Sequence, residues 1–215
     1  IGENDTNIHV LVATSGDTGS AVANGFLGVK GITVHVLYPK DKVSKMQEKQ
    51  FATLGRNINA IEVEGNFDDC QRLVKTAFND QDLAGKISLT SANSINLARL
   101  LPQSFYYWHA WKQIENKENT IFCVPSGNFG NLTAGLIAKR MGLPVKHFIA
   151  ATNINDIVPA YLVNGKYEPR PSVSTIANAM DVGDPSNFYR MLDLFNSSQE
   201  EMAASISSFS YADSE

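Results

Sequence analysis

The sequence predicts an α/β fold, with parallel sheets covered by helices on both faces and divided between two domains. Three observations carry this. Short runs rich in Val and Ile alternate with helix-like stretches along the chain. The runs are bounded by Gly, Pro, Asn or Asp, which end strands. Three strand-to-helix junctions are crowded with small hydroxyl and amide side chains, at the place where such sheets bind ligands.

Taken in order, residues 8–13, 33–38, 60–63, 87–89, 120–124 and 147–151 read as strands. Between the first two, Val22, Phe26 and Val29 recur at helical spacing after Asp17. Residues 44–54 and 68–79 carry helical patterns as well. Leu97, Leu101, Phe105 and Trp108 form a longer apolar stripe, which Pro102 is expected to kink or split. The helix over 132–141 has a clear stop, Gly142 followed by Pro144. Ser198-Gln-Glu-Glu201 reads as a capping box that starts another helix. The chain opens at Ile1 without a methionine and runs only a few residues beyond that last pattern. Both features lead to the expectation of an internal piece of a longer protein. Domains are expected at 1–92 and 93–215, because the strand–helix units restart there.

Of 215 residues, 43% are hydrophobic and 19% charged, enough apolar material for a true core. The net charge of −4 is spread along the chain without a basic patch, which argues against nucleic acid as a partner. No apolar run approaches a membrane span and none reads as a signal peptide. Cys70 and Cys123 make no disulfide framework and read as two small buried hydrophobes, so a reducing, cytoplasmic setting is expected. His9, His35, His109 and His147 show no metal-ligand spacing, so no metal site is expected.

The segment SGNFGN at 126–131 lies between a strand and a helix N-terminus, where backbone N–H groups and the helix dipole favour an anion. It lacks the Gly-Lys-Ser/Thr of a P-loop and the spacing of a dinucleotide fingerprint. Backbone and Asn amides of Gly127, Asn128, Phe129, Gly130 and Asn131 are therefore expected to hold a small phosphate. In TSGDTG at 14–19, Ser15, Asp17 and Thr18 offer oxygens, while Gly16 and Gly19 let the backbone approach a ligand. A plain capped helix is the competing reading of this loop. Further on, Ser94, Asn96 and Arg99 can face one way at a helix start, with Arg99 the natural partner of a phosphate or carboxylate. A cap followed by a surface arginine explains the same residues.

Together these segments resemble the threonine synthase family, pyridoxal-phosphate enzymes of the tryptophan-synthase-β-like fold group. The matching text is ATSGDTGS at 13–20, SANSINLARLLPQ at 91–103, VPSGNFGNLTAG at 124–135, AATNIND at 150–156 and NAMDVGDPSN at 178–187. The resemblance extends from about Ile8 to Tyr189. It implies two α/β domains with pyridoxal 5′-phosphate between them, the second domain truncated after Glu215. It implies conversion of O-phospho-L-homoserine and water to L-threonine and phosphate. By the same resemblance, Gly127 to Asn131 hold the cofactor phosphate. Ser15, Gly16, Thr18 and Gly19 surround the substrate carboxylate, and Asp17 stands near the cofactor's ring hydroxyl. Ser94, Asn96 and Arg99 match the region that holds the substrate phosphate.

There are two departures. Asp17 stands where many relatives in the wider fold group carry Asn. The lysine that forms the family's Schiff base precedes the 14–19 loop, and residues 1–12 contain none. That lysine is therefore expected upstream of Ile1, and the chain as given is expected to be inactive. Two other readings remain open: a related pyridoxal-phosphate lyase such as a threonine or serine dehydratase, and a catalytically dead relative that binds a phosphorylated metabolite. The sequence gives no reading of oligomeric state.

Overall fold

The computed structural model describes residues 7–84, 86–93 and 96–214. The chain separates into two compact units, residues 1–93 and 94–215.

The first unit is built on four strands: β1 (Ile8–Ala13), β2 (Ile32–Pro39), β3 (Ile58–Val63) and β4 (Ser88–Ser91). All pair in parallel in the order β3-β2-β1-β4. The connecting helices are α1 (Asp17–Phe26), α2 (Lys45–Ala52), α3 (Phe67–Asn79) and the short α4 (Gln81–Ala84). The alternation of β1 explains its burial. Val10 and Val12 join Ala23 and Phe51 in one core, whereas Leu11 and Ala13 face Cys70 and Val74 of α3 in another. Both faces of this sheet are thus covered. Local caps match the sequence: Ser44 accepts from Gln47 N at the start of α2, and Asn66 and Asp69 form a reciprocal capping box on α3.

The second unit begins with α5 (Leu97–Gln113), followed by β5 (Ile121–Pro125), α6 (Gly130–Arg140), β6 (His147–Thr152) and α7 (Ile157–Asn164). A single 3₁₀ turn, Asn178–Met180, precedes α8 (Phe188–Leu194), α9 (Gln199–Ser205) and β7 (Ile206–Ser210). The strands pair in parallel in the order β5-β6-β7. One core packs Phe122, Val124, Phe148, Ala150 and Ile206 against the helices, while Ile121, Cys123 and Phe209 alternate onto an exposed face.

Several expectations change. Pro102 does not split α5, which runs unbroken through it. A proline removes one N–H donor, and tertiary packing of the helix outweighs that loss. The stripe at Leu97, Leu101 and Phe105 is exposed, and the helix instead buries Leu100, Ser104 and Tyr107. Tyr107 decides this, since its ring packs edge-on against Phe122 and Phe148. The helix begun at Ser198 ends at Ser205, and the chain passes directly into β7. Helix α7 is not legible in the sequence, because Ile157 to Leu162 is almost continuously apolar and carries no helical period. Cys123 is exposed rather than buried, because β5 is an edge strand among the described residues and odd positions face outward.

Candidate functional site

In the first unit the strand order reverses between β1 and β4, so the loops after these two strands flank the switch point of the sheet. Two buried residues shape it. Thr14 Oγ1 accepts from Gly16 N at 2.9 Å and from Gly19 N at 2.8 Å, which folds the 14–19 loop onto itself. Asn93 donates to Ala13 O at 2.6 Å and accepts from Ala13 N at 2.8 Å. Its carboxamide thus extends the β1–β4 ladder beyond the last backbone pair. Neither residue was singled out from the sequence. Their signal was weak, because Thr and Asn are ordinary turn residues.

The loop leaves distinct groups for a ligand. Gly16 has φ 148°, and a Cβ there would lie 2.6 Å from the Gln47 side chain, so only glycine fits. Gly19 is held equally close by Thr14. Asp17 is exposed, and its Oδ1 accepts from Gln47 Nε2 at 2.7 Å. The hydroxyls of Ser15 and Thr18 are half-buried and have no hydrogen-bond partner among the described residues. The first-turn N–H groups of Asp17 and Thr18 have no intrahelical acceptor. Hydroxyls and N–H groups of this kind suit a carboxylate.

In the second unit, β5 ends at Pro125 and α6 starts at Gly130, so residues 126–129 make the whole turn. Buried Ser126 anchors it, donating its N–H to Ala151 O at 2.8 Å. Phe129 is in the left-handed region, φ 60° and ψ 14°, with its ring buried in the core. That backbone state costs roughly 1–2 kcal/mol, whereas burying a Phe side chain contributes about 1.5–3 kcal/mol, so packing wins. The result is a turn that presents successive backbone N–H groups at the start of α6. Those of Gly127, Phe129, Gly130 and Asn131 have no acceptor among the described residues.

The two asparagine carboxamides behave differently from the expectation. Asn131 donates to Pro125 O at 2.6 Å and accepts from Leu132 N at 2.9 Å, tying strand end to helix start. Asn128 Oδ1 accepts from Ser186 N at 2.7 Å and Ser186 Oγ at 3.0 Å. Both amides bond within the protein, which leaves the turn's backbone N–H groups as its open donors. Behind the turn, Tyr107 OH donates to Asn131 O at 2.7 Å, and burial pushes this phenol far above its usual pKa, keeping it a donor.

At the start of α5, Asn96 Oδ1 caps the helix by accepting from Ala98 N at 3.0 Å. Arg99 is half-buried and already has a partner, and desolvation lowers its pKa. An arginine remains charged despite such a shift. Ser94 lies outside the described residues. Among the described residues no cluster of His, Cys, Asp or Glu could hold a metal ion, and no helix is long and apolar enough to cross a membrane.

Comparison with known proteins gives this geometry a family. The family model for pyridoxal-phosphate dependent enzyme matches residues 3–207. The threonine synthase of Buchnera aphidicola from Acyrthosiphon pisum is 55% identical over 197 residues, 91% of this chain and 46% of that protein. The crystal structure of threonine synthase from Escherichia coli superposes with a TM-score of 0.91 at 46% identity, covering 98% of this chain and 49% of that one. The structure of PLP-bound threonine synthase from Brucella melitensis superposes with a TM-score of 0.80 at 33% identity, covering 96% of this chain and 50% of that one. The chain spans about half the length of the relatives it matches. With a family model spanning nearly the whole chain, this protein belongs to the pyridoxal-phosphate-dependent enzyme family.

Proposed function

We propose that this chain carries the cofactor-phosphate cradle and the substrate-binding loops of a threonine synthase, which converts O-phospho-L-homoserine and water to L-threonine and inorganic phosphate. The observation that carries the reading is the turn at 127–131: four N–H groups without an acceptor among the described residues at a helix N-terminus, in a member of a pyridoxal-phosphate-dependent family. Met180 fills the space where a side chain at 127 would stand, so the cradle fits a phosphate held by backbone alone. Pyridoxal phosphate, when bound, supplies an electron sink for carbanion character on the substrate.

The chain's own residues bind and orient. Gly127, Phe129, Gly130 and Asn131 donate backbone N–H groups to the cofactor phosphate, aided by the dipole of α6. Asn128 keeps that turn in shape through Ser186. Ser15 and Thr18 donate hydroxyls to the substrate carboxylate, with Gly16 and Gly19 allowing close approach. Asp17, whose carboxylate accepts from Gln47 Nε2, would be the partner of the cofactor's ring hydroxyl. Ser94, Asn96 and Arg99 hold the substrate phosphate, and the half-buried guanidinium of Arg99 attracts a dianion more strongly than an exposed one would.

The test is phosphate release from O-phospho-L-homoserine, against ammonia release from L-threonine, in the longest natural protein that contains this sequence. Phosphate release with pyridoxal phosphate present is expected. Ammonia release alone would assign a dehydratase, and the absence of both would assign a binding relative.

A further inference from the structure

Residues 170–187 form a strap across the carboxyl end of β6 and the turn at 127–131. Its contacts with the turn are specific. The backbone of Met180 closes against Gly127. Ser186 donates twice to Asn128 Oδ1, and Asn187 Nδ2 donates to Asn128 O at 3.0 Å. The shape of the turn is thus tied to the strap.

One carboxylate gathers four of the strap's hydrogen bonds. Asp181, next to Met180, accepts from Thr175 N at 2.9 Å through Oδ2. Its Oδ1 accepts from Thr175 Oγ1 at 2.8 Å, Asn153 Nδ2 at 2.8 Å and Asn155 Nδ2 at 3.2 Å. Asn153 and Asn155 are buried just beyond β6. Asn155 also holds the strap's backbone, accepting from Val173 N at 2.7 Å and donating to Val173 O at 2.9 Å. A second fixing point lies at Gly183, whose O accepts from Arg170 N at 3.1 Å and whose missing Cβ would strike Arg170 O.

We propose that Asp181 is a positioning residue for the phosphate cradle: by clamping the strap to the end of β6, it holds the turn at 127–131 in the shape that binds a phosphate monoester. This rests on the reading of that turn as a phosphate site. The physical reason is preorganisation. A set of N–H groups already converged pays little ordering cost when the anion arrives, and a loosened turn pays it in full. The chemistry of the clamp demands a carboxylate. Four donors converge on two acceptor oxygens. An asparagine of the same shape has one acceptor oxygen and turns its NH₂ against a donor.

The test compares the wild-type chain with Asp181→Asn and Thr175→Val. Binding of pyridoxal 5′-phosphate and of phosphate-free pyridoxal is measured by fluorescence titration, and the backbone amide NMR signals of Gly127 and Gly130 are followed. The variants are expected to bind pyridoxal phosphate about tenfold more weakly, the scale of one lost buried hydrogen-bonding group, with pyridoxal unaffected. The Gly127 and Gly130 signals shift or broaden, while those of Gly16 and Gly19 in the other unit do not. Unchanged Gly127 and Gly130 signals in a folded variant overturn the clamp, as does an equal loss for both ligands. If wild-type chain binds no pyridoxal phosphate, the reading of the turn as a phosphate site in this chain is lost, and the NMR comparison still decides the clamp. Thr175→Val removes one arm of the cluster and serves where Asp181→Asn does not fold.

Discussion

Gly127 stands with its Cα against the backbone of Met180: a Cβ at 127 would lie 2.5 Å from Met180 Cα and 2.9 Å from its carbonyl oxygen. Two segments some fifty residues apart thus meet with no room for a methyl group, and backbone cannot yield as a flexible side chain can. Gly127→Ala is expected to destabilise the second unit by about 1–3 kcal/mol, as overpacking does, read as a lower thermal midpoint. Pyridoxal phosphate affinity falls at least as far as in the Asp181 variant. Wild-type affinity in Gly127→Ala would contradict the tightness of this contact.

Thr14 holds the carboxyl end of β1 through two buried N–H groups. Thr14→Val keeps the shape and removes the acceptor, leaving both donors without a partner. The expected cost is about 1–3 kcal/mol, measured as a lower urea midpoint. Thr14→Ser retains the oxygen and is expected to recover most of it. Loss in Thr14→Ser with none in Thr14→Val would place the stabilisation in the methyl group, which packs against Gly19.

The two cysteines are expected to differ in reactivity. Cys70 is fully buried, and burial, with Asp69 beside it, pushes its thiol up to about 12. Cys123 is exposed on β5. At pH 8, iodoacetamide followed by peptide mass spectrometry should label Cys123 and spare Cys70 in the folded chain. Labelling of Cys70 at a comparable rate would contradict its burial.

His9 Nδ1 and His35 Nε2 share one hydrogen bond at 3.0 Å, with their rings stacked. One ring must accept, so the pair cannot be doubly protonated without losing this bond. Burial, and then the neighbouring His9, lower the pKa of His35 below 6.5. Below that value the unfolded chain binds the proton that the folded chain refuses. Stability from this group is present above about pH 6.5 and is lost as the pH falls through it. Thermal midpoints of the first unit should therefore drop between pH 7.5 and 5.5, and His35→Asn should flatten the change. An unaltered slope in His35→Asn would assign the pH dependence elsewhere.

The strand–helix alternation was legible in the sequence, because Val and Ile runs between Gly, Pro and Asn are a local signal. So was the turn at 127–131 as a strand-to-helix junction with free N–H groups, since its Gly and Asn residues lie directly before a helix start. The longer elements with clear periods, such as α3 and α6, were equally plain. What lay beyond reach was anything settled by contacts distant in sequence. The sequence could not say that the amides of Asn128 and Asn131 are used inside the protein, nor that Phe129 is held left-handed by the burial of its ring. It could not say which side of α5 turns inward, because Leu97, Leu101 and Phe105 are as apolar as the face that Tyr107 buries. The roles of Thr14, Asn93 and Asp181 are of the same kind. Each is a common polar residue whose partners lie on another strand or loop, and hydrogen bonds of that sort leave no period to read. Local stereochemistry by itself determined that a turn with free N–H groups would form at a helix start; only the tertiary structure decided which groups line it and which hold it in place.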